Sequence, residues 1–195
     1  DTVRRFYPTL PIMVVDNGYE ESRPTGENID YRRLPADCGL SASRNYLLDN
    51  CTTQFLMICE EDFEFTENTD LHSFVSVLQC DPEVAIVASS LITNGCKTHF
   101  SKSFDWFRNK LTTIDNRNSL RVTPENIPYR YADMVYNFFL CRKEAFNDIR
   151  WNDSLKLAEH LDHMFRIYQE KKWRVAHIPT CEAIHNTGDR DNHYV

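Results

Sequence analysis

The run Gln54-Phe55-Leu56-Met57-Ile58-Cys59 is apolar after its first residue and stops against three consecutive acids, Glu60-Glu61-Asp62. Six residues are too few for a buried helix. They fit a strand whose two faces are both covered, as in a sheet packed between layers of helices. The neighbouring segments repeat this theme. Residues 10–16 form an apolar run closed by the turn formers Asp16-Asn17-Gly18, and residues 29–34 read as a second short strand. Residues 40–50 have a helical pattern, with Ser41 or Ser43 able to cap it. Residues 66–78 follow as a helix with Leu71, Phe74, Val75 and Leu78 on one face, and residues 84–88 as a strand. Buried strands alternating with helices predict an α/β domain built on a mixed, mostly parallel sheet flanked by helices.

Residues 92–129 are polar and less regular, and read as strands and loops. An apolar strand-like run returns at residues 131–142. Residues 155–171 predict a strong amphipathic helix with Leu157, Leu161, Met164, Phe165 and Tyr168 inward. Residues 173–178 and 181–185 read as two short closing strands, and residues 186–195 as a polar, mobile end.

At 195 residues the chain is one domain with room for a sizeable core. A net charge of -7 supplies no general attraction to nucleic acid or to an anionic membrane. An anionic ligand must therefore be held locally, by a few basic groups or a metal ion. No apolar run reaches the length of a bilayer span, so no transmembrane segment is expected, and no signal-peptide pattern opens the sequence. None of the seven cysteines forms a C-x-x-C pair, which argues against a structural zinc site. An odd count at irregular spacing does not resemble a disulfide framework, and leaves room for one or two bridges at most.

The acid triplet is the first chemical feature. Ligands of open α/β sheets bind at the carboxyl edge, where Glu60-Glu61-Asp62 falls. Carboxylates one residue apart can point the same way at a strand end, hold a hard divalent cation, and let it bridge a diphosphate. Taken alone, the triplet is equally a solvated loop start. Farther on, Glu159, Asp162 and Arg166 share one polar helix face at three- and four-residue spacing.

The order Gly39-Leu40-Ser41-Ala42-Ser43-Arg44-Asn45, short helix, apolar strand, acid triplet resembles family 2 glycosyltransferases of the GT-A (Rossmann-like) type. Three segments are most similar to the β-1,4-N-acetylgalactosaminyltransferase group, of the ganglioside GM2 synthase kind: Arg4-Arg5-Phe6-Tyr7-Pro8-Thr9, the block from Arg44-Asn45 to Phe63-Glu64-Phe65-Thr66, and Val135-Tyr136-Asn137-Phe138-Phe139-Leu140. The resemblance implies one GT-A domain over residues 1–195 whose first strand lies outside it. It implies transfer of a sugar of the GalNAc, GlcNAc, Gal or Glc type from a UDP-sugar to a hydroxyl of a glycan, glycolipid or glycoprotein, with inversion.

Carried over residue by residue, the resemblance makes Asp16, Asn17, Arg44, Asn45, Glu60 and Glu61 the nucleotide-sugar contacts. Asp62, with Glu60 standing where relatives have Asp, and His185 after the last strand become ligands of Mn2+ or Mg2+. The helix run Glu159-His160-Leu161-Asp162 supplies the base that deprotonates the acceptor, with Asp162 preferred over Glu159 and Glu159 over His160. Trp151, Phe104, Trp106 and Phe107 are candidate sugar-stacking rings, although packing is the commoner fate of such residues. The resemblance places such an enzyme in the Golgi lumen if it is a eukaryotic secretory protein and in the cytoplasm otherwise. Two rival readings carry forward: a sugar nucleotidyltransferase, and a non-catalytic GT-A-like domain that binds glycans.

Overall fold

A computed structural model gives the fold of residues 2–187; residues 188–195, most of the expected polar end, lie outside the described residues. In chain order the elements are α1 (Thr2–Phe6), β1 (Ile12–Asp16), β2 (Ile29–Arg33), α2 (Leu40–Asn50), β3 (Phe55–Ile58), β4 (Phe63–Phe65), α3 (Leu71–Cys80), β5 (Val84–Thr93), β6 (Cys96–Thr98), β7 (Ser101–Phe107), β8 (Lys110–Asp115), β9 (Arg121–Val122), β10 (Pro128–Ala132), β11 (Met134–Val135), β12 (Phe139–Arg142), α4 (Glu159–Glu170) and β13 (Arg174–His185).

An eight-stranded sheet carries the domain, in the order β3-β12-β5-β13-β10-β9, with β4 on β13 and β6 on β5. At its centre β5 is buried from Val84 to Leu91, as a strand with both faces covered must be. Alternate residues serve opposite faces. Ile86, Phe139 and Val175 pack with Leu48, Trp151, Met164 and Ile167, on the α2 and α4 side. Val87, Leu140 and Ala176 pack with Phe74, Val77 and Leu78 of α3. The expected α/β class and mixed sheet are present.

The pairing is less parallel than the alternation of strands and helices predicts. Among the described residues only β1–β2 and β5–β13 pair parallel, and every other ladder is antiparallel. Two causes are local. Asn94 and Gly95 (φ 51° and 73°) and Arg108 and Asn109 (φ 49° and 61°) make tight turns with both central residues left-handed, which fold β5–β6 and β7–β8 back as hairpins. The third is long-range: β12 inserts antiparallel between β3 and β5. The strand-like run at 131–142 is in fact the end of β10, then β11, then β12, and the two closing strands are one strand, β13, with an irregularity between Ile178 and Glu182.

The last helix also differs from expectation. It starts at Glu159 rather than 155. Leu155 N bonds to Asn152 O, Ser154 N and Oγ both donate to Asn152 Oδ1, and Ser41 Oγ donates to Leu155 O. Side chains and turns thus take the backbone partners a helix would need. The buried face is Glu159, His163, Met164 and Ile167, whereas Leu157 is 78% exposed and Leu161 and Tyr168 are 38% and 37% exposed. In α2 the boundaries match the expectation, but the cap is Gly39 at φ 90°, and neither Ser41 nor Ser43 caps.

All seven cysteines are free thiols, and no helix among the described residues is long and apolar enough to cross a membrane. The pair β1–β2 forms a sheet of its own, and β3 ends the order of the eight-stranded sheet.

Candidate active site

Strand β3 ends at Ile58, and a turn in which Phe63 N bonds to Glu60 O reverses the chain into β4. Strand β4 runs antiparallel to the end of β13, with Phe63 opposite His185. This register brings together two residues 123 positions apart: His185 Nε2 lies 3.1 Å from Asp62 Oδ2. Asn186 N donates to Asp62 O at 2.8 Å, fixing the backbone, and the His185 ring stacks on Phe63 at 5.0 Å. Both side chains are about three-quarters buried, at 22% and 26% exposure. A carboxylate oxygen and an imidazole nitrogen therefore converge at the carboxyl ends of β3 and β13, held from behind.

Glu60 faces elsewhere. Its Oε1 accepts from Arg44 Nη2 at 2.6 Å and from Asn137 Nδ2 at 3.2 Å. The Arg44 guanidinium, 3% exposed, also donates to Glu159 Oε1 at 3.0 Å and lies 5.7 Å from the Trp151 ring. Arg44 is thus a buried clamp between the acid triplet and the first residue of α4, with its charge already satisfied by two carboxylates. This geometry does not favour the expected contact of Arg44 with a nucleotide, nor Glu60 as a metal ligand. Nor does it leave the Glu159 carboxylate, on a residue 7% exposed, free to take a proton from an acceptor.

Two further expectations meet a structural role instead. Asn45 is 6% exposed; its Nδ2 donates to Trp151 O at 2.9 Å and Asp153 Oδ1 at 2.7 Å, and its Oδ1 accepts from Trp151 N at 3.2 Å. It ties α2 to the segment before α4, with no donor left for a nucleotide. His160 donates through Nε2 to Val135 O at 2.7 Å and stacks on Phe139. Burial pushes its pKa down to about 4, so it is a neutral packed ring at pH 7 and a poor base. Asp162 remains: half-exposed, one turn into α4, with Oδ2 2.9 Å from Arg166 Nε.

Asp16 ends β1, in the small sheet. Its carboxylate takes four donors: Gly18 N at 2.8 Å on Oδ1, and Ser22 N at 3.2 Å, Tyr31 hydroxyl at 2.6 Å and Arg33 Nη1 at 2.5 Å on Oδ2. The Tyr31 bond, then those from Gly18 and Ser22, hold its pKa well below the usual carboxylate range. A nucleotide reaching Asp16 must compete with Tyr31 or Arg33. Asn17 is half-buried and accepts from Asp37 N through its backbone carbonyl, and Glu61 is exposed. Among the stacking candidates Trp151 is core, at 2% exposure, between Phe146 and His163 at 5.1 and 4.2 Å; Phe104 is buried, whereas Trp106 and Phe107 are each 59% exposed.

Sequence reasoning assigned no role to Asn137 or Phe63. The signal for Asn137 is a single amide inside the apolar run Tyr136-Asn137-Phe138, where a buried polar side chain needs a partner.

Comparison with known proteins bears on this arrangement. Over 168 residues the chain is 26% identical to beta-1,4 N-acetylgalactosaminyltransferase 1 of Rattus norvegicus, and over 165 residues 26% identical to the same enzyme of Homo sapiens. In both cases 83% of this chain is matched, but it spans only 31% of the relative's length. The crystal structure of GalNAc-T7 with UDP, GalNAc and Mn2+ superposes with a TM-score of 0.66 at 13% identity, over 94% of this chain and 39% of that one. The crystal structure of residues 1–349 of S. aureus TarS superposes at 0.56 and 14% identity, over 90% and 51%. These likenesses bear out the mixed α/β GT-A fold. The sequence profile that describes glycosyl transferase family 2 matches residues 2–150. With that match over most of its length, and an acid triplet set at the carboxyl edge of its central sheet, the chain belongs to glycosyl transferase family 2.

Proposed function

We propose that this domain catalyses metal-dependent transfer of a sugar from a UDP-sugar to an acceptor hydroxyl on a glycan or glycoconjugate, with inversion. The observation that carries the reading is the convergence of Asp62 Oδ2 and His185 Nε2, 3.1 Å apart, at the carboxyl ends of β3 and β13. One oxygen and one nitrogen at a half-buried edge suit Mn2+, or Mg2+ with more water, and leave room for diphosphate oxygens. Among the described residues no third His, Cys, Asp or Glu joins them, and oxygens of a donor diphosphate are suited to add to the coordination. The bound ion would neutralise charge on the departing diphosphate. The relatives favour N-acetylgalactosamine as the transferred sugar.

This chain's residues divide the remaining work. Asp62 and His185 would hold the ion at the carboxyl ends of β3 and β13. Arg44 holds Glu60 and Glu159 together, so the acid triplet and the start of α4 keep one spacing. Asp162 takes the acceptor proton as the acceptor oxygen bonds to the anomeric carbon and the bond from that carbon to the diphosphate breaks. Arg166 beside it keeps the carboxylate oriented. Residues 1–195 act as one domain, and the unshared edges of β1 and β3 suit a further strand between the two sheets.

The test is calorimetric titration of UDP into the purified chain, with and without Mn2+, repeated with Asp62→Ala. Metal-dependent binding lost in the variant supports the reading. Absence of binding in every condition overturns it, and glycan binding without UDP would then support the non-catalytic alternative. Formation of a nucleotide-sugar in place of transfer would support the nucleotidyltransferase.

A further inference from the structure

Away from the carboxyl edge, a cavity of about 450 Å3 opens where the C-terminal turn of α4 meets the start of β13 and the corner between β10 and β11. Pockets that hold small molecules span about 300–1,000 Å3. Glu159 and Asp162 stand at the other end of α4. At a rise of about 1.5 Å per residue, Tyr168 and Lys171 on the cavity wall lie roughly 9 and 14 Å along the axis from Asp162. None of Glu60, Asp62, Glu159, Asp162 or His185 lines the cavity, which is a pocket distinct from the candidate transfer site.

We propose that this cavity binds a hexopyranose unit of a glycan chain. Tyr168, on its wall, is 37% exposed, and its ring is held edge-on by Phe104 at 5.3 Å and stacked on Phe165 at 6.2 Å. That is a preformed aromatic face, of the kind on which the C–H face of a sugar ring packs. Tyr131 cannot serve in the same way, because the guanidinium groups of Arg121 and Arg174 lie 4.3 and 4.7 Å from its ring.

The polar groups around Tyr168 match hydroxyls. Asp133 Oδ2 accepts from Phe104 N at 2.9 Å, the only hydrogen bond to that carboxylate among the described residues. A half-buried carboxylate with one donor has capacity for more. Burial raises its pKa, the consequence of that incomplete solvation. Asn118 spends its Nδ2 on Tyr131 O, which leaves its carbonyl oxygen as an acceptor. Lys171, exposed and at φ 56° just past α4, adds a cationic side chain to the lining. An anion would meet the Asp133 carboxylate, and a wholly apolar ligand would strand these groups without partners. A neutral ring carrying several hydroxyls satisfies them. In a transferase, holding a non-reacting unit here would raise the effective concentration of the chain at the transfer site. That consequence rests on the proposed function; the binding itself does not.

Saturation-transfer difference NMR on the full chain, without UDP or metal, tests the proposal with lactose, maltose and chitobiose as separate probes. At least one probe binds in the millimolar range. Tyr168→Ala and Asp133→Asn each weaken that binding about tenfold, and Asp162→Asn leaves it unchanged. Asp133→Asn preserves side-chain shape and an oxygen for Phe104 N, so it reports on the site even if Tyr168→Ala unfolds. Three outcomes overturn the proposal: no probe binds the unaltered chain, binding survives both cavity variants, or binding is lost in Asp162→Asn, which would place the sugar at the transfer site. A chain that fails to bind UDP with Mn2+ yet loses its disaccharide in Asp133→Asn would sink the transferase reading and keep this one.

Discussion

Arg44 Nη1 donates to Glu159 Oε1 at 3.0 Å, joining α2 to the first residue of α4 across 115 positions of sequence. With side-chain exposures of 4% and 9%, this is a buried ion pair, and breaking one side of it leaves a charge stranded. Arg44→Ala is expected to cost about 3–5 kcal/mol in urea unfolding at pH 7, and Arg44→Ala with Glu159→Gln to recover part of that. A loss in the double variant equal to the sum of the losses in Arg44→Ala and Glu159→Gln alone would show that the two residues are not coupled.

The proposed metal ligands, Asp62 and His185, are expected to separate cleanly from the residue beside them. Asp62→Asn and His185→Ala each abolish Mn2+-dependent UDP binding, and a chelator does the same to the unaltered chain. Glu60→Gln, whose carboxylate is held by Arg44 and Asn137, keeps metal dependence with affinity reduced about tenfold. Calorimetry decides the matter; complete loss in Glu60→Gln would return Glu60 to the ligand set.

Removal of the proposed acceptor base, Asp162, should appear in turnover. Asp162→Asn is expected to lower kcat about a hundred- to ten-thousand-fold, with little change in the KM for donor. His160→Gln should fall far less, because His160 is spent on Val135 O. A larger loss in His160→Gln than in Asp162→Asn would reverse the assignment.

Burial pushes the pKa of His160 down to about 4, and those of His163 and His177 to about 3, against about 6.5 for an unfolded chain. Below about pH 6.5 the unfolded state therefore binds protons that the native state refuses. Stability is complete above that pH and falls as pH drops toward the native values, by about 1.4 kcal/mol per unit for each histidine. Urea midpoints measured from pH 7 to pH 5 should decline. His163→Phe, which keeps the stack on Trp151, should flatten the decline. A midpoint independent of pH across this window would show that these rings are not buried neutral.

Much of the fold was readable along the chain. Helix α2 spans Leu40–Asn50 as its pattern predicts, and the acid triplet follows a strand at Phe55–Ile58. Both are local facts: a helical period or a short apolar run between turn formers is set by neighbours a few residues away. The facing of α4 was not readable. Its Leu157 and Leu161 look like core residues by type, yet Glu159 and His163 are buried in their place. Glu159 is drawn in by Arg44, and His163 by the Trp151 ring and Ile149 O.

The sequence by itself determined the α/β class and the position of the acids after β3, and it supplied the residue types that the proposed cation site and base use. Those follow from periodicity and composition within short segments. Only the tertiary structure decided which of the acids are available. Arg44 and Asn137 draw Glu60 away, Arg44 occupies Glu159, Val135 takes His160, and the pairing of β4 with the end of β13 puts His185 on Asp62. Each of these depends on contacts between residues far apart in sequence. Such contacts are chosen by which apolar faces pack together and which buried polar groups must then find a partner.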